Sequence, residues 1–216
     1  TPSGIVRVSV KIENGNVQDI SFENVPAFLY CKDLEIKVPG IGSIRTDIGF
    51  GGNFFTIVDI DSINIEIKRE SIDELRRMSR RILASANEAV KVEHPVNKSI
   101  NYMDQLLFVD NRPDEKGEYL CQCIFGDSQA DISPCGTGTS TRLAQRYFRG
   151  YIGMEGTYCQ KSIYGGMFRA SVVREVNLKG TKAIIPAVSC SDVHITGFNH
   201  LIVEEDDKLK NGFISW

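Results

Sequence analysis

No stretch of the sequence is long and apolar enough to predict a membrane span. A transmembrane helix needs about 20 consecutive apolar residues, and the apolar runs of this 216-residue chain are far shorter. Hydrophobic residues make up 42% of the sequence and charged residues 25%, which is typical of globular proteins. The sequence therefore predicts a globular protein of one large or two small domains, with no membrane partner.

A strong positive charge is also missing. The net charge is −3, and the 25 lysines and arginines do not gather into one block. A nucleic-acid-binding surface usually shows such a cluster, so we expect no nucleic-acid partner. Four arginines do lie close together, at positions 76, 77, 80 and 81. They fall on a predicted amphipathic helix, where a solvated face is a better interpretation than a phosphate site.

Histidine is scarce, and the cysteines lack the spacing of a metal site. The three histidines are far from Cys121-x-Cys123, which is not the spacing of a zinc knuckle. Gly136-x-Gly138 alone is too weak for a dinucleotide motif, and no lysine stands beside it for a phosphate loop. We therefore expect neither metal nor cofactor. The six cysteines form no dense framework, which indicates reduced thiols and a cytoplasmic location.

Short alternating strands dominate the rest of the sequence. Residues 5–12 alternate apolar and polar side chains, which predicts a half-buried strand, and Asn14-Gly15 predicts a hairpin turn after it. Gly51-Gly52 interrupts a later strand pattern, as a bend or as a close approach of backbone to another element. The other predicted strands lie at residues 17–22, 34–38, 44–50, 54–60, 106–109, 119–125, 157–163, 167–176, 183–188, 193–196 and 200–203.

Two helices are predicted among these strands. Ser71 to Glu74 has the pattern of a capping box and opens an amphipathic helix that reaches about Val92. The second helix is predicted from about Thr139 to Arg149, with Gly150 as its stop signal. Many strands and two helices indicate an α+β protein, in which a strongly curved sheet or barrel wraps around a helix.

Cys135 is the strongest candidate for chemistry. It lies in Asp131-Ile132-Ser133-Pro134-Cys135-Gly136-Thr137-Gly138-Thr139-Ser140, just before a helical pattern. A helix N-terminus offers unpaired N–H groups and a partial positive charge, which favour a thiolate and can hold a carboxylate. A nucleophilic hydrolase would also need a base; no histidine is linked to Cys135 by a known spacing, although His194 or His200 could reach it in the fold. A thiolate base that removes an acidic α-proton needs only a substrate carboxylate beside it and stabilisation of the carbanion.

The same stretch resembles the second cysteine motif of the proline racemase family. That family also includes hydroxyproline epimerases and trans-3-hydroxyproline dehydratases. The resemblance extends over essentially the whole chain, through further blocks in the family's order. These blocks are Thr1-Pro2-Ser3-Gly4, Asn24-Val25-Pro26-Ala27-Phe28-Leu29-Tyr30, Phe50-Gly51-Gly52-Asn53-Phe54-Phe55 and Gly197-Phe198-Asn199-His200.

The resemblance implies a cofactor-independent amino-acid racemase or epimerase with the diaminopimelate epimerase-like fold. In that fold two α/β halves, each a strand barrel around a central helix, face each other across a cleft. Each half supplies one cysteine, and Cys135 corresponds to the second. Asp131 corresponds to the residue that binds the substrate amine, Gly136 and Thr137 to those that hold its carboxylate, and Phe125 to an aromatic beside the ring. The implied partner is proline or a hydroxyproline-like molecule, and a homodimer is compatible with the resemblance.

The chain departs from the family pattern in three ways. The first cysteine motif, Met-Cys-Gly-His, is absent; Ile132 replaces an arginine and Thr141 an alanine; and residues 102–122 match poorly. By the resemblance, residues 25–187 form the second half, while residues 1–24 and 188–216 are strands of the first half. The chain is then a fragment of the family's architecture, and we expect it to be poorly active alone. A trans-3-hydroxyproline dehydratase and a non-catalytic small amino- or imino-acid-binding protein are the alternatives.

Overall fold

The computed structural model describes residues 1–191, 193–194, 197, 199–200, 202–208 and 210. The described strands are β1 (Arg7–Glu13), β2 (Asn16–Glu23), β3 (Phe28–Val38), β4 (Gly42–Phe50), β5 (Phe54–Asp59), β6 (Gln105–Val109), β7 (Glu118–Phe125), β8 (Gln129–Ala130), β9 (Thr157–Ser162), β10 (Met167–Leu178) and β11 (Thr181–Cys190). The α-helices in this part of the chain are α1 (Ile72–Ala89) and α2 (Gly136–Phe148). Neither of them is long and apolar enough to cross a membrane.

The strands form one mixed sheet that curves into a barrel. Its order is β1-β2-β11-β10-β9-β7-β6-β5-β4-β3, with β8 paired to β7. The pairs β5–β6 and β7–β9 are parallel, and the other pairs are antiparallel. Ala27, just before β3, exchanges two backbone hydrogen bonds of 2.8 Å with Ile184 of β11. This bridge joins the two ends of the path from β3 to β11 and closes the barrel.

The second helix fills the barrel. Its residues from Gly138 to Gln145 are all buried, although five of these eight are polar. Their hydroxyls bond back to the helix itself, as when Ser140 Oγ donates to Gly136 O (2.9 Å) and Thr141 Oγ1 to Thr137 O (2.8 Å). Because these hydroxyls have local partners, they can be buried inside the barrel at little cost. The predicted α+β class, a strand barrel around a central helix, is confirmed.

The first helix packs outside the barrel. Leu75, Ile82 and Ala86 are buried on its inner face, and the four arginines are exposed as predicted. Two of them also bind a loop, since Arg76 Nε donates to Ser128 O and Arg80 Nε to Ser128 Oγ, both at 2.6 Å. These two hydrogen bonds hold the turn between β7 and Asp131 in place.

The hairpin of β1 and β2 extends from the barrel through β2–β11 pairing. Asn14 and Gly15 both have positive φ (52° and 79°), as the predicted two-residue turn requires. The prediction of a half-buried β1 was wrong, because all residues from Arg7 to Glu13 are exposed. Alternation marks a strand that is able to cover a core, but no described element lies on its apolar face.

The predicted start of the first helix is confirmed, with Ser71 as its N-cap residue, but the predicted capping box does not form. Ser71 makes no side-chain capping bond, because a 3-10 turn at Arg69–Ser71 already gives it helical dihedrals (φ −88°, ψ −2°). An N-cap residue reaches back to the helix from an extended conformation instead. The second helix begins at Gly136 rather than Thr139, so Cys135 itself is the N-cap. The first helix also ends at Ala89 rather than near Val92.

The predicted strands at 193–196 and 200–203 lie partly outside the described residues. The described residues of these two segments are not in strands. The assignment of residues 1–24 and 188–216 to another half, and of 25–187 to this one, stays a prediction.

Candidate active site

A rigid loop carries Cys135 from the sheet to the central helix. Asp131 N donates to Cys123 O of β7 at 3.0 Å, which anchors the start of the loop to the sheet. Asp131 Oδ1 accepts from Ser133 N (2.9 Å), and Ser133 Oγ accepts from Cys135 N (3.0 Å). Pro134 O accepts from Gln160 Nε2 of β9 at 2.6 Å. These bonds fix Cys135 relative to the barrel wall.

The Cys135 thiol lies directly over the helix N-terminus. Its backbone has φ 68°, in the left-handed region that residues with a side chain rarely adopt. In this conformation Sγ accepts from Gly138 N at 3.3 Å and lies 3.6 Å from Thr137 Oγ1. The N–H groups of Gly136 and Thr137 come before any intrahelical acceptor, so the first turn can also hold an anion.

A second thiol lies beside the first. The sulfur atoms of Cys123 and Cys135 and a carboxylate oxygen of Asp131 all lie within 4.8 Å of one another. A hydrogen bond from the Cys123 thiol lowers the pKa of Cys135; burial and Asp131 oppose it, and Thr137 and the Gly138 N–H add to it. The same hydrogen bond, together with burial, raises the pKa of Cys123 well above its usual value. Of the two thiols, Cys135 is therefore the one that loses its proton more readily, and Cys123 is its hydrogen-bond donor.

The predicted site residues meet at one cavity of about 450 Å³. This volume suits a small ligand. Among the residues that line it are all five candidates from the sequence, Phe125, Asp131, Cys135, Gly136 and Thr137. The structure thus brings together residues from the end of β7, the loop and the first turn of α2.

At Gly51 and Gly52 the backbone comes close to α2. This is one of the two structures that the sequence pattern predicted. A Cβ on Gly51 would lie 2.5 Å from Thr137 O and Thr141 N, and one on Gly52 would lie 2.8 Å from Thr137 Cγ2. Asn24 completes this contact, since its Nδ2 donates at 2.9 Å to both Gly51 O and Ser140 Oγ. The loop between β4 and β5 therefore packs against the turn that carries the thiol.

Sequence reasoning missed several residues of the site. Asn53 and Gln105 also line the cavity. The Cys123 sulfur lies within 4.8 Å of the Cys135 sulfur. A polar residue at the edge of an apolar strand was the only signal for Gln105. His194 and His200 are exposed and do not line the cavity. His94 is a core residue, whose Nδ1 accepts from Asn97 N at 3.1 Å, and whose pKa is lowered by burial and by Lys98.

The described thiols show no disulfide bonds at Cys31, Cys121, Cys123, Cys135 or Cys159. Cys121 and Cys123 are buried, as a small apolar residue would be. The spacing argument against a metal site considered Cys121-x-Cys123 and histidines only. In the fold, donors from three separate positions, Cys123, Asp131 and Cys135, converge.

Comparison with known proteins gives one consistent family. The family model for proline racemase matches residues 1–214. The chain is 35% identical over 213 residues to the proline racemase of Clostridioides difficile, covering 99% of this chain and 63% of that protein. It is 33% identical to the trans-3-hydroxy-L-proline dehydratase of Azospirillum brasilense, with the same coverage of 99% and 63%.

A solved structure gives the same result. It is a hydroxyproline epimerase from Agrobacterium vitis with bound trans-4-hydroxy-L-proline, and it matches with a TM-score of 0.83 and 25% identity. The match covers 99% of this chain and 60% of that one, which confirms the diaminopimelate epimerase-like fold. The chain spans less than two thirds of the length of these relatives. With the family model matched from residue 1 to residue 214, the chain belongs to the proline racemase family.

Proposed function

We propose that this chain supplies one proton-transferring face of a cofactor-independent racemase or epimerase for proline-like amino acids. The observation that carries this is the Cys135 thiol, which lies at a helix N-terminus, lines the cavity and has a lowered pKa. A base of this kind removes an α-proton and returns one without a metal or coenzyme. The names of the relatives, with proline and hydroxyproline as substrates, indicate the substrate class.

The remaining groups of the cavity fit an α-amino acid. The Asp131 carboxylate is suited to a substrate ammonium group, and the N–H groups of Gly136 and Thr137 are suited to its carboxylate. Hydrogen bonds to that carboxylate also stabilise the negative charge that develops when the α-proton leaves. Phe125 offers an apolar surface to a pyrrolidine ring. In this arrangement the α-proton faces Cys135 Sγ.

Inversion of the α-carbon needs an acid on the opposite face. Of the described residues that line the cavity, Cys135 and Asp131 are the only ones with an ionisable side chain, and both belong to the same wall. We therefore propose that the second proton donor comes from outside the described residues. This chain alone then exchanges the α-proton with retention of configuration and inverts the substrate poorly.

A dehydratase is the second candidate, favoured by the 33% identity to the Azospirillum enzyme. A dehydratase also removes the α-proton but expels a 3-hydroxyl group instead of accepting a proton on the opposite face. The proposed role of Cys135 is common to both reactions. The group that faces it decides between them.

The proposal is tested by incubating the chain with L-proline, trans-4-hydroxy-L-proline and trans-3-hydroxy-L-proline. Chiral chromatography measures inversion, and mass spectrometry measures the loss of water. Binding of at least one substrate, abolished in Asp131→Asn, with little inversion is the expected result. Rapid inversion by this chain would refute the need for an outside acid. Loss of water from the 3-hydroxy substrate alone would favour the dehydratase, and no binding of any of the three would refute the proposed substrate class.

A further inference from the structure

We propose that Cys123, Asp131 and Cys135 form a binding site for a thiophilic divalent cation such as Zn²⁺, which blocks the Cys135 thiolate when it is occupied. Metal binding at this site differs from the proposed proton transfer, because the ion binds the Cys123 sulfur directly. In the proton transfer, only Cys135 exchanges a proton with the substrate. It gives the protein an inhibitory ligand that needs no structural resemblance to an amino acid.

The geometry of the three donors is the first support. The two sulfur atoms and a carboxylate oxygen all lie within 4.8 Å of one another. Zinc binds thiolate at about 2.3 Å and carboxylate at about 2.0–2.2 Å in tetrahedral sites. Donors around one tetrahedral ion are therefore separated by about 1.6 times these bond lengths, or roughly 3.6–3.8 Å. The present separations, at most 4.8 Å, are thus within about 1 Å of those that a single ion requires.

The donors are also held in place by separate elements. Cys123 belongs to β7, and its neighbour Asp131 N is bonded to Cys123 O at 3.0 Å. Asp131 Oδ1 is fixed by Ser133 N, which leaves its second carboxylate oxygen available for a ligand. Cys135 is fixed as the N-cap of α2. Preorganised ligands lose little freedom on binding, which favours affinity.

Charge favours the same ion. With both thiols deprotonated, the three side chains carry three negative charges, and a divalent cation neutralises two of them. Binding forms two metal–sulfur bonds and one metal–oxygen bond, and the Cys123 proton passes to the solvent. Two thiolates select a soft or borderline ion over Mg²⁺ or Ca²⁺, which prefer oxygen. The cavity that Asp131 and Cys135 line can supply a water molecule as the fourth ligand.

Access comes from the cavity rather than through the core. Cys123 is 1% exposed and Cys135 is 7% exposed, but Asp131 and Cys135 line the 450 Å³ cavity. A cation that enters there meets the carboxylate and the first sulfur before it reaches Cys123. It then covers the same sulfur and carboxylate that the proposed substrate needs.

The experiment titrates the chain with Zn²⁺ alone by calorimetry, in a buffer with a non-thiol reductant. Cd²⁺ is the second probe, because its bonds to sulfur give an ultraviolet charge-transfer band. One ion per chain is expected. Loss of a residue that hydrogen-bonds to a metal ligand costs about 10–100-fold in metal affinity. Cys123→Ser and Asp131→Asn each alter a direct ligand, so each should weaken Zn²⁺ binding at least about 10-fold.

The matched control is Cys121→Ser. Cys121 is a buried thiol on the same strand, and its Sγ points to Pro134 O at 3.8 Å, a contact that a serine hydroxyl can retain. This variant keeps all three donors and should bind Zn²⁺ with unchanged affinity. Circular dichroism shows whether each variant folds, and Asp131→Asn serves as the informative variant if Cys123→Ser does not fold.

The proposal is overturned if folded Cys123→Ser or Asp131→Asn binds Zn²⁺ as tightly as the unchanged chain. It is equally overturned if Cys121→Ser alone abolishes binding, or if Mg²⁺ binds as well as Zn²⁺. None of these measurements uses an amino acid, so the metal site and the proposed enzymatic function fail or succeed separately.

Discussion

At the scale of single residues, Cys135 combines strain with electrostatic stabilisation. Its φ of 68° is unfavourable for a residue with a Cβ, and the loop hydrogen bonds hold it there. In this conformation Sγ accepts hydrogen bonds from Gly138 N, at 3.3 Å, and from the thiol of Cys123. The residue is thus held where a thiolate is stabilised, at the edge of the cavity.

This arrangement predicts an unusually reactive thiol. Alkylation by iodoacetamide consumes the thiolate, and an ordinary cysteine titrates near about 8.5. Because the pKa of Cys135 is lowered, the fast phase of alkylation should reach half its maximum at a lower pH than alkylation of an unstructured cysteine peptide under the same conditions. The fast phase should be absent in Cys135→Ser and present in Cys159→Ser. A midpoint at or above that of the peptide contradicts the proposed stabilisation of the thiolate.

The partner thiol gives a second prediction at this scale. Cys123→Ala removes the hydrogen bond that lowers the pKa of Cys135, so the alkylation profile should move to higher pH. Cys121→Ala, on the same strand, is the control and should leave the profile in place. An unchanged profile in Cys123→Ala would show that the helix end, and not the second thiol, stabilises Cys135.

The sequence predicts a site residue more readily when that residue lies close to Cys135 along the chain. Cys135 was found because turn and helix signals surround it, and the resemblance supplied the roles of Phe125, Asp131, Gly136 and Thr137. Cys123 gave no such signal. Alternation places Cys121 and Cys123 on one face of a strand, but which of them contacts Cys135 depends on the path of the loop between residues 125 and 135.

At the scale of elements, the first turn of α2 is positioned from two sides. The loop from Asp131 to Pro134 holds it from the sheet, and the glycine pair packs against its other side. Gly51 has backbone atoms of α2 within the space of a Cβ. The sequence pattern could not predict that this turn is helical, because two glycines and a threonine have low helix propensity. Packing against residues far away in the sequence overrides that local preference.

Gly51→Ala tests this contact. The added methyl group would lie 2.5 Å from Thr137 O and Thr141 N, and backbone atoms cannot move aside as a flexible side chain can. Overpacking of this kind costs about 1–3 kcal/mol, so chemical denaturation should show a loss in that range. Gly153→Ala is the control, since its Cβ meets nothing within 4 Å; equal stability of the two variants would contradict the account.

At the scale of the whole molecule, a buried polar network ties the far end of α2 to the barrel. Asp47 of β4 is 4% exposed and accepts from Arg149 Nε at 2.6 Å and from Gln145 Nε2 at 2.5 Å. The helix is therefore anchored at both ends, by Asn24 and the glycines near its start and by Asp47 near its end. Contacts between residues so far apart in the sequence, like the bridge between Ala27 and Ile184 that closes the barrel, cannot be predicted from a local sequence pattern.

The network makes stability depend on pH. Burial raises the pKa of Asp47, but hydrogen bonds from Arg149, the Asp33 N–H and Gln145 outweigh it and lower the pKa. The folded state thus holds the charged form, so the stabilisation is present above the unfolded pKa of about 3.9 and is lost as pH falls through the folded value. Urea denaturation of the unchanged chain should therefore show stability falling with acidification in this range.

Asp47→Asn removes the charged partner of Arg149. Breaking a buried pair costs about 3–5 kcal/mol, and because Arg149 is partly exposed we expect about 3 kcal/mol. Urea denaturation at neutral pH measures this loss, and the acid dependence should become shallower. Glu35→Gln, an exposed carboxyl on β3, is the control and should change neither. Loss of stability in both variants alike would contradict the role of Asp47.

Exchange of the substrate α-proton with solvent reports directly on whether Cys135 acts as the base. Incubation of the chain with L-proline or trans-4-hydroxy-L-proline in D₂O, followed by proton NMR, reports proton removal whether or not inversion follows. The account predicts loss of the α-proton signal with the unchanged chain and with Cys159→Ser, and no loss with folded Cys135→Ser. Exchange that persists in Cys135→Ser, or is absent from the unchanged chain while substrate binds, would contradict Cys135 as the base.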